Sequence, residues 1–438
     1  MRKHFFSARN LEDYKRHVRT ILAGTGDNPN LEVLKHFNQD ALFAYIKDLL
    51  KFPEGIFDSR IVGETPIPGL RLDFNCGLRL DVPEGNFRIR ISDADSEQIF
   101  FDKYVSGGRL ISVEQIFIRW RIEVFRDGKL IFTHTLDLEG QPVMLMFRFN
   151  ALGDLIALLP YAREFKRRHR CKLSICLPNN TLSEFAAHLY PELPQADAVT
   201  FETYATYYPS MVLGYTPVAP INLRDMPMER MGGAFLGLNF LAPKPTFKPT
   251  MPPVTNEPYV CIGVQASSTV KGWLYPNGWE VVVDYLKGLG YRVFCIDKNS
   301  VQTNGGITIR KPENAEDFTG DFTIMERANM LYHAEFFIGL GSGLSWVANA
   351  VGCPVVMICG FTTDWHEFYT PYRVANRLVC NGCYNDVHVD FLGKLCPYQK
   401  GTPRELECQK KISPRQVLNA IERLIIDRNL TPPRLRSV

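Results

Sequence analysis

The sequence predicts an α/β protein with two parallel-sheet domains behind an antiparallel β-domain. In residues 142–241 and again in residues 258–378, buried apolar strands alternate with amphipathic helices, which is the pattern of parallel α/β layers. Residues 242–257 hold five prolines between these two regions and are typical of a flexible linker. Residues 55–141 instead carry short alternating apolar runs, as half-buried antiparallel strands do.

Composition narrows the class of protein. The chain has 438 residues, of which 45% are hydrophobic and 22% are charged, as expected for a globular protein with two or three domains. Its net charge of +3 argues against bulk nucleic-acid binding. We find no apolar run of the roughly 18 residues that suggest a membrane span and no signal-peptide core. We therefore expect a cytoplasmic protein whose eleven cysteines are thiols or metal ligands.

The first 141 residues contain no cluster that suggests catalysis. Residues 1–54 have helical periodicity over Leu11–Ile21 and Leu31–Leu50. Between residues 55 and 141, the sequence Arg126-Asp127-Gly128 predicts a hairpin turn. The predicted strands of this region are Leu70–Phe74, Leu78–Val82, Phe87–Ile91, Ile99–Tyr104, Ile116–Val124 and Leu130–Leu136. The β-domain is expected either to recognise a partner or to serve as a scaffold.

The two α/β regions follow with clearer periodicity. In the first, we predict strands Val143–Phe149 and Leu173–Leu177, a helix after residue 154 and a helix at Leu182–Leu189. In the second, we predict strands Tyr259–Val264, Arg292–Ile296, Phe336–Leu340 and Pro354–Cys359, and helices Trp279–Leu289, Thr323–His333 and Leu344–Val351. A last amphipathic helix is predicted at Pro414–Arg428. Ligands bind outside the carboxyl ends of parallel strands, so the loops there carry the functional hypotheses.

Three of these loops suggest binding of a phosphate-bearing substrate. Gly341, Ser342 and Gly343 form a glycine turn that opens a helix, where backbone N–H groups can face an anion; the alternative is a tight turn with nothing bound. The loop at residues 265–273 offers hydroxyls and an ammonium for a diphosphate; the alternative is a solvated turn, which Trp273 disfavours. The candidate diphosphate ligands in this loop are Ser267, Ser268, Thr269 and Lys271.

Two aspartates complete the predicted site. Asp154 follows the first α/β strand at a helix N-terminus, where a carboxylate can accept a proton from an attacking hydroxyl. The alternative role for Asp154 is an ordinary helix N-cap. Asp297 ends the strand Arg292–Ile296 and is a candidate for binding a ribose hydroxyl. Together the loops describe a two-domain transferase with a sugar nucleotide in the cleft and no need of a divalent metal.

Four cysteines near the C-terminus predict a metal site. Cys380, Cys383, Cys396 and Cys408 form the pattern C-x2-C-x12-C-x11-C, which suits a tetrahedral thiolate site for zinc or iron. The alternative is four unrelated buried thiols. The remaining cysteines are expected in the core: Cys76, Cys171, Cys176, Cys261, Cys295, Cys353 and Cys359. His366 and His388 are expected at the surface, because four thiolates already complete a site.

Residues 142–376 and the C-terminal helix resemble the ADP-heptose glycosyltransferases of the GT-B fold. The resemblance rests on ALGDLIALLP, on Lys271 with its Ser/Thr run, and on GSGLSWVANAVGCPVVMICG. Those enzymes usually carry Asp-Ser/Thr-Gly-x-x-His in the third loop, whereas this chain has Gly341-Ser342-Gly343-Leu344-Ser345-Trp346. Only backbone N–H groups and the Ser342 hydroxyl then remain there for phosphates. With the β-domain and the cysteine tail, the chain resembles one branch, the bacterial autotransporter heptosyltransferases.

The resemblance implies a specific fold and activity. It implies two Rossmann-like domains. The cysteine spacing predicts a metal finger at residues 379–410, which a C-terminal helix and tail at residues 411–438 follow. The resemblance implies transfer of heptose from ADP-heptose to serines of an autotransporter adhesin passenger, with Asp154 as base and Lys271 on the phosphates. It also implies a bound iron and a dodecameric homo-oligomer. Two alternatives remain: a lipopolysaccharide inner-core acceptor, or a non-enzymatic, metal-stapled adaptor, which the glycines of the third loop would favour.

Overall fold

The fold is seen in a computed structural model that describes residues 5–7, 59–75, 77–112, 116–147, 151–178, 180–197, 202–209, 223–304, 306–386, 396–397 and 399–436. The described strands of the first half are β1 Phe5–Ser7, β2 Gly63–Glu64, β3 Arg71–Asn75, β4 Arg79–Val82, β5 Phe87–Asp93, β6 Ile99–Val105, β7 Gly108–Ser112, β8 Trp120–Arg126, β9 Lys129–Thr135, β10 Pro142–Met146, β11 Lys172–Cys176 and β12 Ala205–Tyr207. Those of the second half are β13 Tyr259–Ile262, β14 Arg292–Cys295, β15 Val301–Asn304, β16 Ile307–Arg310, β17 Glu316–Asp317, β18 Phe337–Leu340, β19 Val355–Ile358 and β20 Arg373–Val374.

The helices of the described residues begin only after the β-domain. They are α1 Leu152–His169, α2 Ser183–Leu189, α3 Met228–Leu236, α4 Gly278–Gly288, α5 Ile324–His333, α6 Gly343–Ala350, α7 Glu407–Lys410, α8 Pro414–Asp427 and α9 Pro433–Arg436. None of these helices is both long enough and apolar enough to cross a bilayer. The predicted helices Leu11–Ile21 and Leu31–Leu50 lie outside the described residues. The described part of residues 1–54 is β1, a strand paired with β7.

The strands of the β-domain agree with the predicted ones. Each of the six predicted strands overlaps an observed one, and β2 and β7 are additional strands that we did not predict. Strands β6, β5, β8 and β9 form an antiparallel sheet in that order. Asp127 and Gly128 join β8 to β9 with φ angles of 50° and 75°. Positive φ at both positions is what a type I′ hairpin turn requires, so the predicted turn is confirmed.

One sheet crosses the boundary predicted at residue 142. Its strand order is β1-β7-β4-β3-β12-β10-β11, with β2 also paired to β3. The link is a parallel pairing of β12 with β3. Buried Asn75 reinforces it, because its Nδ2 donates to the Thr203 carbonyl at 2.6 Å and its Oδ1 accepts from Thr206 Oγ1 at 2.6 Å. Half of the β-domain is therefore continuous with the first α/β domain.

The second α/β domain has the strand order of a Rossmann fold. Its parallel sheet runs β17-β14-β13-β18-β19-β20, which in chain order is 3-2-1-4-5-6. Strands β13, β14, β18 and β19 are almost wholly buried, as expected for a sheet covered by helices on both faces. The antiparallel pair β15–β16 is a hairpin inserted after β14 that we did not predict.

The segment between the domains is anchored rather than free. As predicted, residues 242–257 contain no helix or strand. Phe247 within it is 3% exposed. Asn329 of α5 accepts hydrogen bonds from the N–H groups of Thr250 at 2.7 Å and Met251 at 2.9 Å. His188 of α2 lies 2.8 Å from the Lys248 carbonyl. The prediction of a flexible linker is therefore wrong, because both domains hold it.

A buried ion pair in the first sheet generates a stability prediction. Arg79 donates to Asp73 from Nε at 2.7 Å and from Nη2 at 2.6 Å, and both side chains are at most 1% exposed. Replacing Arg79 with Leu leaves the carboxylate buried without its cation, which typically lowers the free energy of unfolding by about 3–5 kcal/mol. Chemical denaturation measures the change. The control is Arg60→Leu, whose partner Glu64 is exposed, and it should cost less than about 1 kcal/mol. Equal effects of the two substitutions would contradict the prediction.

Candidate functional site

The site forms where the beginnings of two helices meet. The strand order reverses between β13 and β18, and in such sheets the ligand crevice opens at that point. Helix α6 starts directly after β18, and the N-terminus of α1 from the first α/β domain packs against it. A Cβ atom on Gly153 would lie 2.6 Å from Trp346 Cδ1, and one on Gly343 would lie 2.9 Å from the Leu152 Cβ. Glycine at these two positions therefore permits the close contact between the domains.

Asp154 lies in the first turn of α1, close enough to Lys271 to be influenced by its charge. The N-cap of this helix is Ala151, so the alternative role of Asp154 as N-cap is wrong. Its carboxylate accepts no hydrogen bond from the described residues. Burial raises the pKa of Asp154 to about 6, and the positive charge of Lys271 partly offsets that rise. The structure thus brings together the predicted base and the predicted phosphate-binding lysine, which are 117 positions apart (271 − 154).

Lys271 ends a short 3₁₀ turn, Thr269–Lys271, in the loop after β13. Its Nζ lies 5.7 Å from the centre of the Phe361 ring. Ser268 and Trp273 are both buried, which contradicts the alternative of a solvated Ser/Thr turn for that part of the loop, whereas Ser267 is exposed. A half-buried ammonium on a packed turn has a defined position from which to meet an anion.

Ser342 is the N-cap of α6 but does not cap it. No side-chain cap bond is present, and the buried Oγ has no hydrogen-bond partner in the described part of the chain. Serine at this position normally accepts from an N–H group of the first turn. Here the hydroxyl and the first-turn N–H groups both remain without an intrahelical partner. The arrangement fits an anion such as a phosphate.

The ionised carboxylate of Glu367 packs against this turn, and Arg373 balances its charge. A Cβ atom on Gly341 would lie 2.7 Å from Glu367 Oε1. Burial favours protonation of Glu367, but Arg373 at 2.9 Å and the hydrogen bond from Thr362 outweigh it and lower its pKa. Glu367 is therefore an ionised group whose charge Arg373 balances. We did not predict the Glu367–Arg373 pair. It follows β19 in the chain, and the carboxyl end of β19 lies at the same edge of the sheet as the Gly341–Gly343 turn.

His366 is part of the site's surroundings and not a surface residue. It is 3% exposed, so the expectation of a surface position is wrong; His388 lies outside the described residues. Asn385 Nδ2 lies 3.1 Å from His366 Nδ1. Burial lowers the pKa of His366 to about 4, and Lys271 acts in the same direction. The imidazole is therefore neutral at physiological pH.

An open cleft of about 540 Å³ lies between the two α/β domains, a size typical of small-molecule sites. The first domain contributes Asn180, Thr181 and Glu184 to its walls. Of the predicted substrate-binding residues, the cleft is lined by Ser267, Asp297, Ser342 and Gly343. Asp154 and Lys271 do not line it, although Leu152 does. The predicted site therefore extends from this cleft to the junction of the two helices.

Asp297 shapes the loop after β13. Its carboxylate is 2% exposed and accepts hydrogen bonds from the N–H groups of Val264 at 2.7 Å and Gln265 at 3.2 Å. Burial raises its pKa to about 6, and the two N–H donors counteract that rise. Contact of Asp297 with a ribose hydroxyl stays a prediction.

The four predicted metal ligands line one small cavity. Cys380, Cys383, Cys396 and Cys408 surround it together with Val270 and Phe361. Burial, with the neighbouring thiols, raises the pKa of Cys383 to about 12 and that of Cys408 further. Within the described residues, no three His, Cys, Asp or Glu side chains are grouped closely enough to hold a metal. The predicted core positions of the other cysteines are confirmed for Cys171, Cys176, Cys261, Cys295, Cys353 and Cys359, whereas Cys76 lies outside the described residues.

Comparison with known proteins adds independent evidence. The family profile "Glycosyltransferase family 9 (heptosyltransferase)" matches residues 206–396. The profile "Glycosyltransferase TibC, N-terminal domain" matches residues 66–128. The chain is 41% identical to the autotransporter heptosyltransferase BAHTCr of Citrobacter rodentium, over 80% of this chain and 88% of that protein.

Two further relatives differ in the activity that is described for them. The crystal structure of TibC from enterotoxigenic Escherichia coli H10407, described as an iron-containing dodecameric glycosyltransferase, matches with a TM-score of 0.78 and 38% identity, over 84% of this chain and 98% of that one. TibC has also been crystallised with ADP-D-beta-D-heptose. BimC of Burkholderia thailandensis, described as an inactive autotransporter heptosyltransferase, is 34% identical over 81% of this chain and 85% of that protein.

The glycine contact between α1 and α6 generates a prediction about the site. Gly153→Ala would place a methyl group inside the contact distance of Trp346, and such overpacking typically costs about 1–3 kcal/mol. We expect a lower free energy of unfolding, measured by chemical denaturation. The control is Gly288→Ala at the end of α4, where a Cβ would meet nothing within 4 Å. If Gly153→Ala proves as stable as Gly288→Ala, the contact tolerates a side chain and the prediction is wrong.

Proposed function

The chain belongs to the autotransporter heptosyltransferases of glycosyltransferase family 9, and from this premise we propose that it glycosylates a protein. It is a glycosyltransferase with a GT-B-like fold. The proposed reaction moves heptose from ADP-heptose to serine hydroxyls of an autotransporter adhesin passenger in the cytoplasm. The observation that carries the proposal is the meeting of Asp154, Lys271 and the Gly341–Gly343 turn at one domain junction.

The donor would bind through its diphosphate. The Lys271 ammonium and the hydroxyls of Ser267, Ser268 and Thr269 would contact it from the loop after β13. Ser342 Oγ and the N–H groups at the start of α6, including that of Gly343, would contact it from the other loop, beside Gly341. The Ser342 hydroxyl, which has no hydrogen-bond partner among the residues that the structure describes, supports this assignment. Asp297, at the wall of the same cleft, would accept a hydrogen bond from a ribose hydroxyl.

Asp154 would act as the general base. As the serine oxygen attacks the anomeric carbon of the heptose, its proton would pass to the Asp154 carboxylate. The bond from that carbon to the diphosphate oxygen breaks, and ADP leaves with its charge stabilised by Lys271. A pKa of about 6 leaves the carboxylate mostly ionised at neutral pH, while keeping it a stronger base than an exposed aspartate.

The four cysteines would hold one structural metal. Four thiols around one cavity form a donor set that suits iron or zinc, and the iron in TibC favours iron. A site with four protein ligands has no position left for a substrate, so the metal would stabilise the fold of residues 379–410. Assembly into a dodecamer, as described for TibC, is proposed on the same basis.

One experiment tests the acceptor. The intact mass of a co-expressed adhesin passenger, with and without this chain, should differ by whole heptose units. A lipopolysaccharide inner-core acceptor would leave the passenger mass unchanged while lipopolysaccharide changes. If the protein is instead a non-enzymatic adaptor, the purified protein should show neither transfer nor hydrolysis of ADP-heptose; the relative BimC is described as inactive.

The role of Asp154 generates the first functional prediction. Asp154→Asn keeps the shape of the side chain but cannot accept the proton, so transfer should fall by about a hundredfold to ten-thousandfold. ADP binding should remain. The control is Asp197→Asn at an exposed position, which should leave transfer unchanged. A transfer rate within about tenfold of the unsubstituted enzyme, short of the usual cost of losing a base, would remove Asp154 from that role.

The pairing of Lys271 with Asp154 generates a pH prediction. Lys271→Ala should weaken ADP binding and also raise the pKa of Asp154, because the lysine charge lowers that pKa in the native protein. The base is active only when deprotonated. In the pH profile of kcat/KM, the acidic limb, expected near pH 6 in the native enzyme, should therefore move to higher pH. Lys271→Arg keeps the charge and should leave the limb in place. An unmoved limb in Lys271→Ala would show that the two groups do not interact.

The cysteine cavity generates a prediction about metal content. Purified protein should contain about one iron or zinc per chain, and Cys383→Ser should lose it, because a four-ligand site binds weakly with three thiolates. Elemental analysis and size-exclusion chromatography measure metal and assembly. Cys171→Ser, a buried cysteine outside the cavity, should keep the metal. A metal-free and fully assembled native protein would refute the site.

A further inference from the structure

The cysteine segment, the described part of residues 379–410, contacts the loop that carries Lys271. We propose that this segment positions Lys271 for the donor diphosphate, and that Gln409 is the positioning residue that connects them. The inference rests on the proposed function, since it assigns Lys271 to the diphosphate. It adds a role at the donor site to the structural role proposed for the metal.

Gln409 is the most direct connection. It follows Cys408 in α7 and is fully buried. Its Nε2 donates to the carbonyl of Val270 at 3.1 Å, and its own carbonyl accepts from the Leu274 N–H at 3.2 Å. Val270 immediately precedes Lys271 in the chain. One residue of the cysteine segment therefore holds the lysine loop on both sides of the lysine.

Further contacts join the same two parts of the chain. Trp273 Nε1 donates to the Ile412 carbonyl at 2.8 Å. Val270 and Phe361 form part of the wall of the cysteine cavity, and the Lys271 ammonium lies over the Phe361 ring. The wall of the cavity thus also supports the lysine. Thiolates drawn together by a metal would fix this wall.

The opposite side of the cysteine segment binds the domain of Asp154. Arg224, ahead of α3, is buried and donates to the carbonyls of Cys383, Tyr384 and Asp386. Helix α3 packs closely on α1, since a Cβ on Gly232 would lie 2.5 Å from a Tyr161 ring carbon. The segment therefore lies between the loop of Lys271 and the domain of Asp154. Small displacements of catalytic groups have large effects on rate, so such a position matters for the site.

Gln409→Leu tests the proposal with little risk to the fold. The Gln409 Oε1 has no partner among the described residues, so leucine removes an unpaired acceptor together with the donor to Val270. We expect the dissociation constant of ADP, measured by calorimetry, to rise by about threefold to tenfold, as the loss of one neutral hydrogen bond converts to affinity. Metal content should stay that of the native protein. The matched control is Gln399→Leu, which lines the same cavity and has no described contact with the lysine loop.

A double substitution separates positioning from general damage. In a Lys271→Ala background, Gln409→Leu should have no further effect on ADP binding, because its effect passes through the lysine. An equal weakening in both backgrounds would overturn the proposal, as would a Gln409→Leu affinity within about twofold of native, below the range for a lost hydrogen bond. If the leucine variant loses its metal or unfolds, Gln409→Met is measured by the same criteria. If the native protein binds no ADP, the proposed donor site itself is wrong. If the native protein binds ADP but Gln409→Leu has no effect, only the positioning role of Gln409 is wrong.

Discussion

The close contact between the beginnings of α1 and α6 is the constraint on which the site depends. It exists because Gly153 and Gly343 have no side chains where the other domain's Trp346 and Leu152 must fit. That contact leaves Asp154 half-buried and near Lys271. Burial raises the pKa of the aspartate, and the charge of the lysine partly offsets the rise. The absence of side chains at Gly153 and Gly343 therefore affects both the geometry of the site and the electrostatics of Asp154.

Much of the fold could be predicted because helices and strands leave local periodic patterns. The six strands of residues 55–141 and the alternating elements of both α/β domains were recognisable in this way. The pairing of β3 with β12 was not, because nothing near either strand indicates a partner so far along the chain. The β15–β16 hairpin was missed because its two strands, within Val301–Arg310, are short and consist mostly of polar residues. His366 was placed at the surface because four thiolates already completed a metal site, and its burial depends on neighbours such as Asn385, which lie elsewhere in the chain.

The candidate site shows the same division. Asp154, Lys271 and the Gly341–Gly343 turn could be proposed because each has the residue type and loop position that phosphate or proton chemistry needs. The spacing of the four cysteines likewise indicated one cluster. Glu367, Arg224 and Gln409 could not be found, since their importance lies entirely in what they contact. A buried glutamine has no local pattern that distinguishes it from any other polar residue in a helix.

The sheet shared by the β-domain and the first α/β domain has a consequence for synthesis. Asn75 in β3 makes its hydrogen bonds with residues 128 and 131 positions later in the chain. A ribosome releases the N-terminal half first, and contacts over such separations form slowly. The part of the β3 edge that pairs with β12, at Phe74 and Asn75, must therefore remain unpaired until β12 has emerged, because β2 covers only Arg71 and Leu72. During that interval the nascent chain exposes a strand edge, the kind of surface on which misassembly between chains begins.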